Sequence, residues 1–199
     1  MGIICTDAGH GGTDSGAAWG NMLEKNLNLA YTLSLNTELR KRGHLVFTTR
    51  EKDVTFPLGT RCKLVNSHHR DKQPEFDAII SLHCNVAAKK DPQTGKYIAY
   101  ADRRGFYAIY SEESANSTKL AQSIADQVKI NGIPRKHEGM LSTIALGRTL
   151  AWIHKTVPPA TLLELGFMTN PQELADLRDP AYLKVMVKSV ADGVENFIK

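Results

Sequence analysis

Cysteine is scarce in this sequence and poorly spaced for chemistry. The three residues, Cys5, Cys62 and Cys84, contain no CxxC pair, which argues against both a disulfide framework and a cysteine-built zinc site. They read as reduced core residues. Cys84 adjoins His83, but neighbours along a strand point to opposite faces, so the two are not expected to be ligands together. Long apolar runs are also missing: nothing approaches the length of a membrane span, and the first strand begins at about Ile3, too early to leave room for a signal peptide. The expectation is a protein made in the cytosol or one domain cut from a longer chain. Strong charge of either sign is absent as well. A net charge of +4 does not demand nucleic acid, and none is expected as a partner; it suits a polyanionic surface and equally an ordinary soluble protein. There is no internal repeat, linker or low-complexity segment. What is present, 199 residues at 42% hydrophobic and 23% charged, suffices for one domain over residues 1–199 with a proper core.

The apolar residues alternate between two periodicities. Ile3-Ile4-Cys5-Thr6 reads as a buried strand that Gly9, Gly11 and Gly12 end abruptly. Leu23 to Arg42 places Leu23, Leu27, Ala30, Tyr31, Leu35 and Leu39 at the spacing of a helix with one buried face, and Gly43 supplies its left-handed cap. His44 to Thr49 follows as a strand, with His44 a surface residue at its start, so the opening is a βαβ unit with parallel strands. Leu58 to His69 is a second helix with Leu58, Cys62 and Val65 inward. His68-His69 point about 100° apart on a helix and run into Arg70, Asp71 and Lys72. They are expected to be a solvated helix end and not a metal pair.

Asp77 to His83 is the clearest buried strand. The polar stretch from Ala87 to Arg104, with turn signals at Asp91-Pro92 and Thr94-Gly95, is a hairpin or a mobile flap in which Tyr97 and Tyr100 are expected to pack. Gly105 to Tyr110 is a strand and Ser117 to Lys129 a helix. Gly132 to Pro159 is the least regular part. Ala160 to Gly166 resumes the sheet; Asn170 then caps a helix, with Pro171 at its first position and Glu173 closing a capping box. A final helix from about Pro180 buries Leu183, Val187, Val190, Val194 and Phe197. The order β-α-β-α-β-β-α-β-α-α predicts a single three-layer α/β domain, a mixed, mainly parallel twisted sheet flanked by helices.

Three of these strands end in His10, His83 and Glu164, and Glu24 opens the first helix, so all four polar residues can meet at one edge of the sheet, where ligands collect in such folds. A catalytic zinc needs a few nitrogen or oxygen ligands and an open position, and two histidines with one carboxylate are such a set. His10, Glu24 and His83 supply it, with Glu164 as the group that moves protons. Taken singly, each histidine is more often a surface or turn residue, and Glu24 an ordinary charge at a helix start. Glu164 is harder to dismiss, because a carboxylate inside Leu162-Leu163-Glu164-Leu165-Gly166-Phe167 is costly to bury unless paired or metal-bound.

At these residues the sequence resembles the zinc-dependent N-acetylmuramoyl-L-alanine amidases, the catalytic domain shared by bacterial autolysins and phage endolysins. The matching stretches are Asp7-Ala8-Gly9-His10-Gly11-Gly12, Gly16-Ala17, Glu24-Lys25, Thr49-Arg50, Ser81-Leu82-His83-Cys84-Asn85 and Pro159 through Asn170, in the family's order over nearly the whole chain. The resemblance implies that His10, Glu24 and His83 bind Zn2+, that Glu164 is the catalytic acid and base, and that the substrate is the amide between N-acetylmuramic acid and the L-alanine of the peptidoglycan stem peptide. Asn85 falls on a family motif position and is a candidate substrate contact, though an Asn that forms a turn fits equally. Cys84 stands where the family usually has a small residue, and the 87–104 segment is longer than expected.

A second reading is a zinc exopeptidase or small-amide hydrolase, with Arg103, Arg104 or Arg148 reading a free terminus. A third is a wall-binding module without activity, which should have lost ligands or Glu164. A phosphate-binding loop at Gly9 to Gly16 is weaker, since no Gly-Lys-Ser/Thr follows. Action at the cell wall without a leader implies release by lysis or a fragment of a secreted protein whose wall-binding domain lies elsewhere.

Overall fold

A computed structural model describes residues 1–71 and 75–199. The first third comprises β1 (Ile3–Ala8), a two-stranded ribbon of β2 (Ala18–Trp19) and β3 (Met22–Leu23), α1 (Glu24–Lys41), β4 (Leu45–Thr48) and α2 (Leu58–Asp71). The middle holds β5 (Ala78–Asn85), a hairpin of β6 (Ala88–Lys90) and β7 (Tyr97–Ala99), β8 (Phe106–Tyr110), α3 (Ala115–Ile130) and β9 (Arg135–Ser142). Two one-turn helices follow, α4 (Thr143–Leu146) and α5 (Ala151–His154), then β10 (Ala160–Phe167), α6 (Pro171–Arg178) and α7 (Pro180–Ile198).

Six strands form one sheet in the order β4-β1-β5-β10-β8-β9. The first four are mutually parallel; β8 runs antiparallel to β10, and β9 parallel to β8. The mixed, mainly parallel sheet of the sequence reading is therefore what the chain forms. β1 is buried along its whole length, as an interior parallel strand covered on both faces must be. Alternation distributes its side chains: Ile4 joins Tyr31, Leu35, Leu120, Ile124, Met186 and Val190 under the layer of α1, α3, α6 and α7. Ile3 and Cys5 join Val65, Phe76, Trp152 and Ile153 under α2 and α5 on the other face. The two cores make a three-layer α/β domain.

Several expectations need correcting. The stretch 132–159 is not uniformly irregular, because Arg135–Ser142 is a sheet strand. Its register against β8 jumps from Phe106↔Arg135 to Ala108↔Met140, and His137, Glu138 and Gly139 take positive φ. A bulge of this kind scrambles the two-residue alternation that would have announced it. His44 is not a surface residue: it is 7% exposed, accepts the Gly2 N–H at Nδ1 (3.0 Å) and lies 3.2 Å from Glu195 through Nε2, joining β1 to α7. His68 is packed between Phe47 and Phe76, with ring centroids 4.4 and 4.3 Å away; the His69 side chain and Lys72 lie outside the described residues. Leu58 is 49% exposed, whereas Cys62 and Val65 are buried as expected.

Asn170 does cap α6, accepting from the N–H groups of Gln172 and Glu173 at 3.0 Å. Glu173 does not close a capping box. Its carboxylate crosses to the sheet instead and accepts the N–H groups of Phe167 and Gly105, both at 2.8 Å. All three cysteines are buried and free, and burial pushes their thiols above the ordinary range. Among the described residues no helix is long and apolar enough to cross a membrane.

Candidate active site

Where β1, β5 and β10 end, the chain leaves a cleft of about 460 Å³ whose lining includes His10, Glu24, His83, Asn85, Trp152 and Glu164. Each functional side chain reaches it for a local reason. In β5, His83 lies two residues from Ser81 and points to the α2 and α5 side, whereas Cys84 points the other way into the core beside Tyr31. Glu164 is the register partner of His83 on the adjacent parallel strand, so the two side chains stand side by side on one face. Glu24 is the first residue of α1, where the helix N-terminus favours an anion. His10 sits just past β1 in the left-handed region, φ 63°.

Two glycines make this crowding possible. A Cβ on Gly9 would lie 2.3 Å from the His83 ring, and one on Gly16 would lie 2.5 Å from the His10 ring and 2.6 Å from Glu24 Oε2. The glycine-rich loop is thus a close approach to two imidazoles, which accounts for it without a phosphate.

The Glu24 carboxylate is the hub. Oε2 lies 3.2 Å from His10 Nε2 and accepts the Ala17 N–H at 2.8 Å; Oε1 lies 2.9 Å from His83 Nδ1 and accepts from Asn28 Nδ2 and the Cys84 N–H at 3.3 Å. Burial alone would raise its pKa, but the two imidazoles hold it far below the usual carboxylate range. His10 shows the complementary effect. Burial disfavours its charged form, yet Glu24 and Asp14 outweigh that and lift it to about 9. Glu164 is pushed up to about 7, chiefly by burial, with the Glu24 charge adding to it and His83 and Arg148 opposing. Its Oε2 is shut off from solvent and finds no hydrogen-bond partner among the described residues.

Ligand atoms of His10, Glu24 and His83 all lie within 4.8 Å of one another. Donors held at about 2.0–2.1 Å by a tetrahedral zinc are separated from each other by roughly 3.4 Å, so the group suits such an ion. The donor set agrees, being two imidazoles and a carboxylate already ionised.

Sequence reasoning missed the residues that aim these groups. Asp14 Oδ2 lies 2.9 Å from His10 Nδ1 and leaves Nε2 facing Glu24; no spacing in the sequence announces this, because residues 10–14 form a loop and not a helix. Arg61 and Arg50 hold the turn that carries His10. Arg61 donates to the backbone oxygens of Ala8 (2.6 Å), His10 (2.5 Å) and Phe56 (2.6 Å) and to Asp7 Oδ1 (2.9 Å). Arg50 donates to the oxygens of Ala8 (2.9 Å) and Gly9 (3.0 Å). Asn85 lines the cleft, with its side-chain amide donating to the Tyr107 hydroxyl. Of the three arginines offered for reading a free terminus, Arg148 alone lines the cleft.

A sequence model of the N-acetylmuramoyl-L-alanine amidase family matches residues 4–196. The chain belongs to this family. The amidase is 28% identical over 209 residues to the germination-specific N-acetylmuramoyl-L-alanine amidase of Bacillus subtilis, covering 96% of this chain and 78% of that protein. Against the N-acetylmuramoyl-L-alanine amidase LytC of the same organism the identity is 26%, over 98% of this chain and 35% of LytC, so the chain spans about a third of that relative. The catalytic domain of CwlV, an N-acetylmuramoyl-L-alanine amidase from Bacillus (Paenibacillus) polymyxa, superposes with a TM-score of 0.80 at 24% identity, over all of this chain and 98% of that one. That likeness speaks to the fold. The family comprises peptidoglycan hydrolases and is generally zinc-dependent, and the amidase carries a His10/Glu24/His83 group able to hold a metal.

Proposed function

We propose that the chain hydrolyses the amide between N-acetylmuramic acid and the L-alanine of the stem peptide, with His10, Glu24 and His83 holding zinc and Glu164 carrying the proton. One observation supports this most directly: a single ionised carboxylate, Glu24, lies 3.2 and 2.9 Å from two imidazoles and lines the same cleft as a carboxylate, Glu164, whose Oε2 has no hydrogen-bond partner among the described residues. Zinc held there would supply a Lewis acid for the scissile carbonyl and lower the pKa of water from about 15.7 to roughly 7.

The chain's own groups do the rest. Ionised Glu164 takes a proton from the attacking water as the carbonyl carbon becomes tetrahedral. The same oxygen gives that proton to the alanine nitrogen as the C–N bond breaks, so that a neutral amine departs. A pKa near 7 suits a group that must first accept and then donate at neutral pH. Asp14 keeps the His10 ring oriented, and Asn85 contacts the substrate beside Glu164. Action at the cell wall follows from the substrate.

The test is incubation of the protein with purified cell walls, with and without a chelator, and identification of the new ends by mass spectrometry. Stem peptides with a free N-terminal L-alanine are expected, and none after chelation. Release of single amino acids would replace this reading with an exopeptidase.

A further inference from the structure

The hairpin of β6 and β7 is unexplained by the chemistry above, and it combines basic residues with exposed apolar ones. Between residues 87 and 104, Lys89, Lys90, Lys96, Arg103 and Arg104 stand against Asp91 and Asp102, so three of the chain's four net positive charges fall in this one segment. Tyr97, Ile98 and Tyr100 are 66%, 46% and 43% exposed, against the expectation that the tyrosines pack. None of the three belongs to either hydrophobic core.

A two-stranded ribbon has little stability of its own, yet this one is held in shape by polar bonds. Asp91 Oδ1 accepts the N–H groups of Gln93 (2.8 Å) and Thr94 (3.2 Å), and the Asp91 N–H donates to the Lys96 carbonyl (2.8 Å). Its apolar side chains are therefore displayed, not used for folding. Pairing sets Lys90 opposite Tyr97 and Lys89 opposite Ile98. Cross-strand partners share a face, so each face carries an ammonium beside an apolar group.

The ribbon is also continuous with the cleft. It leaves β5 directly after Asn85 and Val86, both of which line the cleft. Its base is tied to the end of the strand that bears Glu164, through the Ala87 N–H to Thr169 Oγ1 (3.1 Å) and Asn170 Nδ2 to the Ala101 carbonyl (2.7 Å).

We propose that this hairpin is a second grip on the substrate polymer, binding an uncleaved stretch of glycan and its peptide carboxylates next to the bond being cut. The inference rests on peptidoglycan being the substrate. Sugar rings present apolar C–H faces that suit the exposed ring of Tyr97, and carboxylates suit Lys89 and Lys90. A polyphosphate chain would use the lysines alone, and an apolar partner the tyrosines alone. The mixed pattern fits an anionic glycopeptide.

Two double variants test it, Tyr97→Ala with Tyr100→Ala, and Lys89→Ser with Lys90→Ser, each checked for an unchanged melting temperature. Three substrates are compared: a soluble single muramoyl-peptide that fills only the cleft, insoluble peptidoglycan stripped of anionic polymers, and walls that retain those polymers. Both variants should lose about tenfold in kcat/KM on stripped peptidoglycan, mainly through KM, and stay within about twofold of the parent on the soluble fragment. The lysine variant should lose more at low salt than at high salt. Unchanged rates on stripped peptidoglycan overturn the proposal while leaving the amidase reading intact. A loss confined to walls with anionic polymer assigns the hairpin to that polymer instead. If the parent protein cuts none of the three, the amidase reading itself fails.

Discussion

At the scale of single residues, Glu164 and His10 both hold a proton to higher pH than the free side chains do. On the proposed mechanism, replacing Glu164 by Gln removes the proton carrier but no metal ligand, so turnover should fall by about 10²–10⁴-fold while zinc content, measured by elemental analysis, stays at the parent level. Near-normal turnover would take Glu164 out of the reaction. For His10, the imidazole of the unfolded chain titrates at its ordinary 6.5, and that of the folded, metal-free protein at about 9. Between those values the folded state keeps a proton that the unfolded state has lost. The stability it contributes is complete below pH 6.5 and disappears as pH rises towards 9. Chelator-treated protein should therefore show a declining melting temperature over that window, and His10→Gln should flatten the decline. Zinc must displace the same proton, so zinc affinity measured by competition should rise with pH over the same range. The four central side chains were legible because each follows an apolar run or opens a helix. Asp14 was not, since its role exists only once the loop brings it back to the His10 ring.

Among the elements, α2 shows what a helical pattern hides. Arg61 lies three residues after Leu58 and four before Val65, on the inward stripe, where a charge should have been the signal. In the folded protein Leu58 is half exposed and Arg61 is buried at 4%. Its guanidinium meets Asp7, itself 1% exposed and also bonded to Thr49 (2.5 Å) and Ser81 (2.6 Å). Arg61→Ala leaves the Asp7 carboxylate without its cation, a loss on the order of 3–5 kcal/mol that urea unfolding would read. Arg61→Lys restores the charge but not the fork that reaches three carbonyl oxygens. It should recover part of the stability and still release zinc faster than the parent, because the turn carrying His10 loses its anchor. β9 escaped for a related reason: its bulge sits at three positive-φ residues, and the pairing that makes it a strand comes from β8.

For the molecule as a whole, the pairing of α3 with α7, away from the cleft, depends on one close crossing. A Cβ on Gly193 of α7 would lie 2.5 Å from Ile124 Cα in α3, and Ser123 Oγ already donates to the Gly193 carbonyl at 2.7 Å. Alanine ordinarily stabilises a helix by about 1 kcal/mol relative to glycine, but here the added methyl must push backbone from backbone. Overpacking of about 1–3 kcal/mol should win, so Gly193→Ala is expected to lower the denaturation midpoint. Since no residue of α3 or α7 lines the cleft, activity on a soluble muramoyl-peptide well below the melting point should be retained.

Alternation and helical spacing are local properties, and through them the chain's own order of residues determined the mainly parallel sheet, the helices that cover it and the strand ends at which His10, His83 and Glu164 emerge. Only the tertiary structure decided how those side chains are charged and aimed. Glu24 is ionised because two imidazoles and two backbone N–H groups reach it from separate elements, and Glu164 is shifted because neighbouring strands shut its Oε2 off from water. Electrostatic energy depends on distance and burial in space, and neither quantity is written in the spacing of residues along a chain.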